Sequence, residues 1–167
     1  GMPVMPLIRP LTDHRIHPGP RTRAVPGDFV LYWIQTTMRS RENPALNFAA
    51  ERADELGLPL VVYQGLRPDY PWASDRLHTF ILESVADMAA DFADRGIPYG
   101  FHLERRKRVH GEPRPDSPLE QLAGRAALVV TDYFPTFIVP RQTRRLRERI
   151  DAHLAAGANH VCLMPLR

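Results

Sequence analysis

The sequence predicts an α/β fold, a doubly wound sheet of five parallel strands in the order 3-2-1-4-5 with helices on both faces. Three observations predict it. The continuous apolar run Phe29–Ile34 is typical of a strand buried on both faces. Four further apolar segments alternate with helical patterns. Short links join them, and each predicted helix ends at a glycine. This alternation indicates right-handed crossovers in a Rossmann-like sheet.

The five strands are predicted at residues 29–34, 60–64, 97–103, 127–131 and 160–164. Asn43 and Pro44 supply an N-cap and a first-turn proline for a helix that ends at Gly57. A longer helix begins at Ser74 and ends at Gly96. Its apolar stripe consists of Leu77, Ile81, Val85, Met88 and Phe92.

Two shorter helical patterns follow. Ser117 and Glu120 have the spacing of a capping box, which predicts a helix that ends at Gly124. The last helix is predicted from about residue 140 to Gly157, with Leu146 among its inward residues. Residues 1–28 are rich in proline and arginine without a steady period, so we expect an irregular N-terminal arm before a single α/β domain over residues 29–167.

Composition narrows the function classes. The 167 residues carry a formal net charge of +3, and a pI of about 9.4 permits nucleic-acid contact without demonstrating it. The single cysteine excludes an internal disulfide and any site built from several cysteines, and we expect no metal site. No apolar run approaches the roughly 20 residues of a membrane helix. We therefore expect a cytoplasmic protein that does not contact membranes.

Common cofactor and catalytic signatures are missing. The loop after the first strand, residues 35–42, contains no glycine, which argues against a dinucleotide-binding G-x-G-x-x-G turn. Neither a G-x-x-x-x-G-K-[ST] loop nor a G-x-S-x-G nucleophile turn occurs. These absences argue against the usual dinucleotide, P-loop and α/β-hydrolase sites.

Several motifs together resemble one family. They are Phe29–Gln35, Arg41–Leu46, Pro68–Ser74, Val129–Pro135 and Met164–Arg167. In this order they resemble the N-terminal domain of the photolyase and cryptochrome family, and most closely class II cyclobutane pyrimidine dimer photolyases and their bacterial relatives. The resemblance spans about residues 28–167.

The resemblance implies an α/β domain that carries an antenna chromophore (a deazaflavin, FMN or methenyl-folate) in many family members. It also implies a larger helical domain that binds FAD and the pyrimidine dimer, in cis or in trans. That helical domain has no counterpart here, so we expect no photolyase activity from this chain alone, and DNA contact only through the helical domain. Gly1 before Met2 resembles a residue left by tag cleavage. We expect a piece of a longer protein, with a truncated gene product or a stand-alone relative as the alternatives.

A candidate antenna site lies where the strands end, since ligands of open α/β sheets bind there. The candidate residues are Trp33, Gln35, Arg39, Gln64, His102, Asp132, Tyr133 and Phe134. We expect Gln35 and Asp132 to bond the edge of the ring and Arg39 to meet an acidic tail. Tyr133 or Phe134 would stack on the ring. The alternative is that these residues pack the core or an interface.

Two other functions stay open. One is a stand-alone nucleotide-binding domain of the universal-stress or electron-transfer-flavoprotein type, which would bind ATP, AMP or FMN at the same edge. The other is a non-catalytic interaction module with an exposed apolar face around Tyr70, Trp72 and Phe137, which would self-associate.

Overall fold

A computed structural model of the chain describes residues 17–18, 24–67, 74–104, 118–133, 142–146, 148 and 160–165. Its strands are β1 (His17–Pro18), β2 (Phe29–Ile34), β3 (Leu60–Leu66), β4 (Tyr99–Leu103), β5 (Ala126–Tyr133) and β6 (His160–Pro165). Its helices are α1 (Pro44–Leu56), α2 (Asp75–Asp94) and α3 (Pro118–Arg125), and residues 142–146 are also helical.

The strands form one sheet in the order β1-β6-β5-β2-β3-β4. β2 pairs in parallel with both β3 and β5, and β4 pairs in parallel with β3. The α/β class and the predicted order of the first four parallel strands are therefore confirmed. β2 lies inside the sheet, as its unbroken apolar run indicates.

The sheet differs from the prediction at the edge formed by β1 and β6. The described residues form six strands rather than five, because His17–Pro18 pairs antiparallel with β6 and adds an edge. These two residues lie within the segment predicted as an irregular arm. β6 itself pairs in parallel with β5.

Two apolar cores cover the two faces of the sheet, because successive strand residues point to opposite sides. On one side, called the α1 face, Val30, Tyr32 and Ile34 of β2 pack with residues of α1 and α2. On the other, called the α3 face, Trp33 of β2 packs in a cluster with Ala123 of α3 and with Leu146. β2 is thus buried on both sides.

Helix ends follow local capping rules at two of the four predicted glycines. Gly57 and Gly96 adopt the left-handed conformation, with φ of 64° and 66°. The prediction for Gly124 was wrong, because α3 continues through it to Arg125. The backbone N–H of Asp28 donates to the Arg125 carbonyl at 2.9 Å, so the helix end is satisfied without a left-handed turn. Gly157 and the capping residue Ser117 lie outside the described residues.

The predicted stripe of α2 is only partly covered. Ile81, Met88 and Phe92 are buried, whereas Leu77 is 41% exposed near the start of the helix. Phe80, next to the stripe, is 64% exposed. The predicted apolar face around Tyr70, Trp72 and Phe137 lies outside the described residues. Across the described part of the chain, no helix combines the length and apolar character needed to cross a membrane.

Candidate functional site

The carboxyl ends of β2 and β5 lie side by side, and the chain leaves them toward opposite faces. After β2 it enters α1 on the α1 face, and after β5 it reaches helical residue Leu146 on the α3 face. In open α/β sheets, ligands bind at the carboxyl ends of strands from which the chain leaves toward opposite faces. This place, called the β2–β5 edge, is formed by Gln35, Thr36, Thr37, Thr131 and Asp132.

Asp132 joins the two strands at this edge. The residue is fully buried, and its carboxylate accepts four hydrogen bonds from the loop after β2. Gln35 donates its backbone N–H to Oδ1 at 2.7 Å. Thr36 donates its N–H and its hydroxyl to Oδ2 at 2.6 and 2.5 Å, and the Thr37 N–H donates to Oδ2 at 2.6 Å. An ionised carboxylate has about four acceptor positions, so these bonds use its capacity.

The side chain of Gln35 links the edge to the α3 face. Its Nε2 donates to the hydroxyl oxygens of Thr131 and Thr143, both at 3.0 Å. Thr131 in turn donates its hydroxyl to the Trp33 carbonyl at 2.7 Å. Because the Thr131 hydroxyl donates to Trp33, its oxygen is free to accept from Gln35 Nε2. The Gln35 amide is therefore oriented with Nε2 toward the two threonines and Oε1 away from them.

Asn43 holds the far end of the same loop. It is fully buried, and its Oδ1 accepts from the Leu46 N–H at 3.1 Å, which caps α1. Its Nδ2 donates to the carbonyls of Arg39 and Thr37 at 3.0 and 3.4 Å and to the Tyr32 hydroxyl at 3.0 Å. One side chain thus fixes both the helix start and the loop backbone.

A third attachment comes from α2. The Ser40 hydroxyl donates to Asp91 Oδ2 at 2.6 Å, and the Ser40 carbonyl accepts from Arg95 Nη1 at 2.7 Å. Arg41 adds an ion pair with Asp91 at 3.6 Å, but its side chain is largely exposed and contributes little. The loop is therefore attached to β5, to α1 and to α2.

Two polar atoms at this edge are buried without a hydrogen-bond partner in the described structure. They are Gln35 Oε1 and Thr37 Oγ1. Thr37 is only 7% exposed. Buried polar groups are nearly always paired, because an unpaired one costs about 1–3 kcal/mol. Two such atoms on one loop indicate a place where a ligand group could bind.

Three tyrosines have hydroxyls in surroundings that disfavour the phenolate. Burial raises the pKa of Tyr99 to about 12, from an ordinary value of 10.0. Burial also raises the pKa of Tyr32 and of Tyr63 well above that value, and the charges of Asp132 and Glu104, respectively, act in the same direction. The Tyr99 hydroxyl donates to Gln64 Oε1 at 2.8 Å, and its ring stacks on Phe92.

These shifts predict a loss of stability at high pH. The unfolded chain releases the Tyr99 proton near pH 10, whereas the folded chain keeps it until about pH 12. The contribution of Tyr99 to the free energy of unfolding should therefore be constant below pH 10. It should fall as the pH rises from 10 to 12. Phenolate absorbance should show this in native against denatured protein, with Tyr99→Phe as the control. Equal titration curves for the native and denatured chains would contradict it.

Among the described residues, no group of three or more histidine, cysteine, aspartate or glutamate side chains could hold a metal ion. The polar groups of the β2–β5 edge are instead amides, hydroxyls and one saturated carboxylate. Such groups can orient an uncharged polar ligand by hydrogen bonds.

The sequence profile of the DNA photolyase family matches residues 30–163. This chain belongs to the DNA photolyase family. The resemblance predicted from its motifs is thereby confirmed. Over 106 residues it is 37% identical to a deoxyribodipyrimidine photo-lyase of Methanothermobacter thermautotrophicus, a stretch that covers 64% of this chain and 22% of that protein. The chain thus spans about a fifth of that photolyase-family relative.

Solved structures of another group show a weaker likeness to this photolyase-family chain. A universal stress protein from Archaeoglobus fulgidus has a TM-score of 0.43 at 18% identity, covering 83% of this chain and 93% of its own. A universal stress family protein from Burkholderia pseudomallei has a TM-score of 0.40 at 18% identity, with 83% and 96% covered. Because both scores are below 0.5, we infer nothing from these likenesses.

The structure brings two of the predicted site residues into direct contact, Gln35 and Asp132. Trp33 is buried within the α3-face core, and Gln64 is buried with its Oε1 bound to Tyr99. Arg39 is exposed on the loop. Their roles as ligand contacts stay predictions.

The remaining predicted site residues are less closely grouped. His102 lies half-buried on β4, which β3 separates from β2. Tyr133 is the last residue of β5, and Phe134 lies outside the described residues. The structure therefore does not place His102 beside Gln35 and Asp132.

Sequence reasoning missed the threonines of the site. Thr36 and Thr37 supply three of the four bonds to Asp132, and Thr131 and Thr143 hold the Gln35 amide. One signal was available: polar residues directly follow β2, where a buried strand ends at the sheet edge. Which threonine meets which partner depends on the tertiary arrangement.

Proposed function

We propose that this chain is the antenna-chromophore domain of a photolyase-like protein, not catalytic by itself, and that it binds a ring chromophore at the β2–β5 edge. Family membership supports the first part. The observation that carries the second is the pair of buried, unpartnered polar atoms at that edge, Gln35 Oε1 and Thr37 Oγ1.

The chemistry of these two atoms fits the polar end of a flavin, deazaflavin or folate ring. Such rings present N–H donors beside carbonyl acceptors. Gln35 Oε1 can accept from a ring N–H, and the Thr37 hydroxyl can donate to a ring carbonyl. We assign Asp132 to holding these two residues in place, since its carboxylate already accepts four bonds from their loop. Arg39, exposed on the same loop, is the proposed contact for an acidic tail.

The wider activity of the parent protein belongs to the same proposal. A bound antenna would absorb light and pass the excitation to FAD in a helical domain, supplied in cis or in trans. That domain would contact DNA, and this chain would supply no catalytic residue. A cytoplasmic location and self-association through an exposed apolar face remain part of the proposal.

Thr37→Val tests the site because it should weaken chromophore binding without lowering the stability of the free chain. Valine keeps the shape of threonine and removes a buried hydroxyl that has no partner in the described structure, so the free chain should be as stable as wild type or slightly more stable. Chromophore affinity should fall roughly 10-fold, the effect of one lost hydrogen bond of about 1.4 kcal/mol. Fluorescence titration gives the affinity and chemical denaturation gives the stability.

Thr79→Val is the matched control, since Thr79 is exposed on α2 and is none of the residues that form this edge. It should leave chromophore affinity unchanged. If Thr37→Val binds the chromophore as tightly as wild type, or if both variants weaken binding equally, the assignment of Thr37 to the ring is wrong.

A further inference from the structure

We infer that the Asp132 carboxylate occupies a slot of hydrogen-bond donors that could otherwise bind a phosphate. This edge therefore accepts only ligands whose contacting group is uncharged. The slot consists of the backbone N–H groups of Gln35, Thr36 and Thr37 together with the Thr36 hydroxyl. The inference rests on the proposed function for one point only, that the β2–β5 edge is where a ligand binds.

The donors have the arrangement that holds anions in proteins. Three consecutive backbone N–H groups converge on one carboxylate at 2.6–2.7 Å. Successive N–H groups in a loop form anion-binding concavities, and phosphates bind to them in the first loop of many α/β sheets. Here the same donors meet an anion that comes from the neighbouring strand.

We expect the Asp132 carboxylate to exclude phosphate from these N–H groups rather than only to weaken its binding. A phosphate could reach these N–H groups only by displacing the Asp132 carboxylate, which is fully buried. The displaced carboxylate would then be a buried charge without donors beside a second negative charge, and both conditions are unfavourable. By contrast, Gln35 Oε1 and Thr37 Oγ1 carry no charge and make no hydrogen bond in the described structure, so a ligand group that bonds to them displaces no existing partner. The edge therefore selects a neutral polar group over a phosphate.

Removing the carboxylate should open the slot. We expect Asp132→Ala to bind inorganic phosphate saturably, with a rise in melting temperature of roughly 3–5 °C at about 10 times the dissociation constant. The backbone amide resonances of Gln35, Thr36 and Thr37 should shift during the same titration. Acetate should act in the same way, because it restores the missing carboxylate. Wild type should show neither response when ionic strength is held constant with sodium chloride.

Asp28→Ala is the control, because Asp28 forms an exposed ion pair with Arg125 and lies before β2, away from its carboxyl end. It should gain no phosphate response. Should Asp132→Ala fail to fold in chloride, refolding in phosphate or acetate gives the same test, and recovery supports the inference. Phosphate binding by wild type at these amides would overturn it, as would an Asp132→Ala chain that neither binds nor is rescued by any anion. Chromophore titration of wild type is a separate readout, so failure of the proposed function is distinguishable from failure of this inference.

Discussion

Replacing Asp132 with alanine should lower the free energy of unfolding by about 3–5 kcal/mol, the range for removing one partner of a buried charged network. The reason is the number of donors left behind. Three backbone N–H groups and one hydroxyl lose their acceptor, and the loop after β2 loses its attachment to β5. Chemical denaturation with a two-state fit measures the change.

Two variants make this result specific to Asp132. Asp28→Ala also removes an aspartate, but from an exposed ion pair, and should cost no more than about 1 kcal/mol. Asp132→Asn can place its amide oxygen at the position of Oδ2, which accepts three of the four bonds, but its N–H₂ group then faces the Gln35 N–H, so it should recover only part of the lost stability. Equal losses for Asp132→Ala and Asp28→Ala would show that the carboxylate does not hold the loop.

Replacing Asn43 with alanine should cost about 2–4 kcal/mol, from a lost helix cap together with buried carbonyls left without donors. The cap bond is that from the Leu46 N–H, and the carbonyls are those of Thr37 and Arg39. The variant should also weaken chromophore binding, since the loop carries Thr37. Thermal and chemical unfolding measure the stability.

Controls separate the two parts of the Asn43 effect. Ser74→Ala removes the exposed N-cap of α2, which accepts from the Leu77 N–H, and should cost only about 1 kcal/mol. Asn43→Asp keeps the cap oxygen and lacks the Nδ2 donors, so it should remain less stable than wild type. If Asn43→Ala costs no more than Ser74→Ala, the loop contacts of Asn43 contribute nothing measurable.

Local rules were enough to predict much of the fold from the sequence. Asn43 as an N-cap and Gly57 and Gly96 as helix-ending residues follow from short-range chemistry that neighbouring residues fix. Gly124 did not follow them, because a distant residue, Asp28, satisfies the end of α3. Local prediction fails where a long-range partner replaces the local one.

The candidate site was predictable in position but not in contacts. The rule that ligands bind at strand ends led to Gln35 and Asp132, which the structure joins. It could not indicate that the Asp132 carboxylate would be saturated by the loop, nor that Thr37 would keep a buried hydroxyl without a partner in the described structure. Both features depend on how a loop folds back over a strand 95 residues away in sequence.

Binding of a ring chromophore by this chain is tested most directly by one side-by-side titration. Wild-type protein would be titrated with a deazaflavin, FMN, methenyl-folate and ATP, followed by absorbance and by intrinsic or ligand fluorescence. We predict saturable binding of at least one ring chromophore, lost or weakened in Thr37→Val, and no response to ATP. Binding of ATP but of no ring chromophore, or binding of none of the four ligands, would contradict the proposed chromophore site.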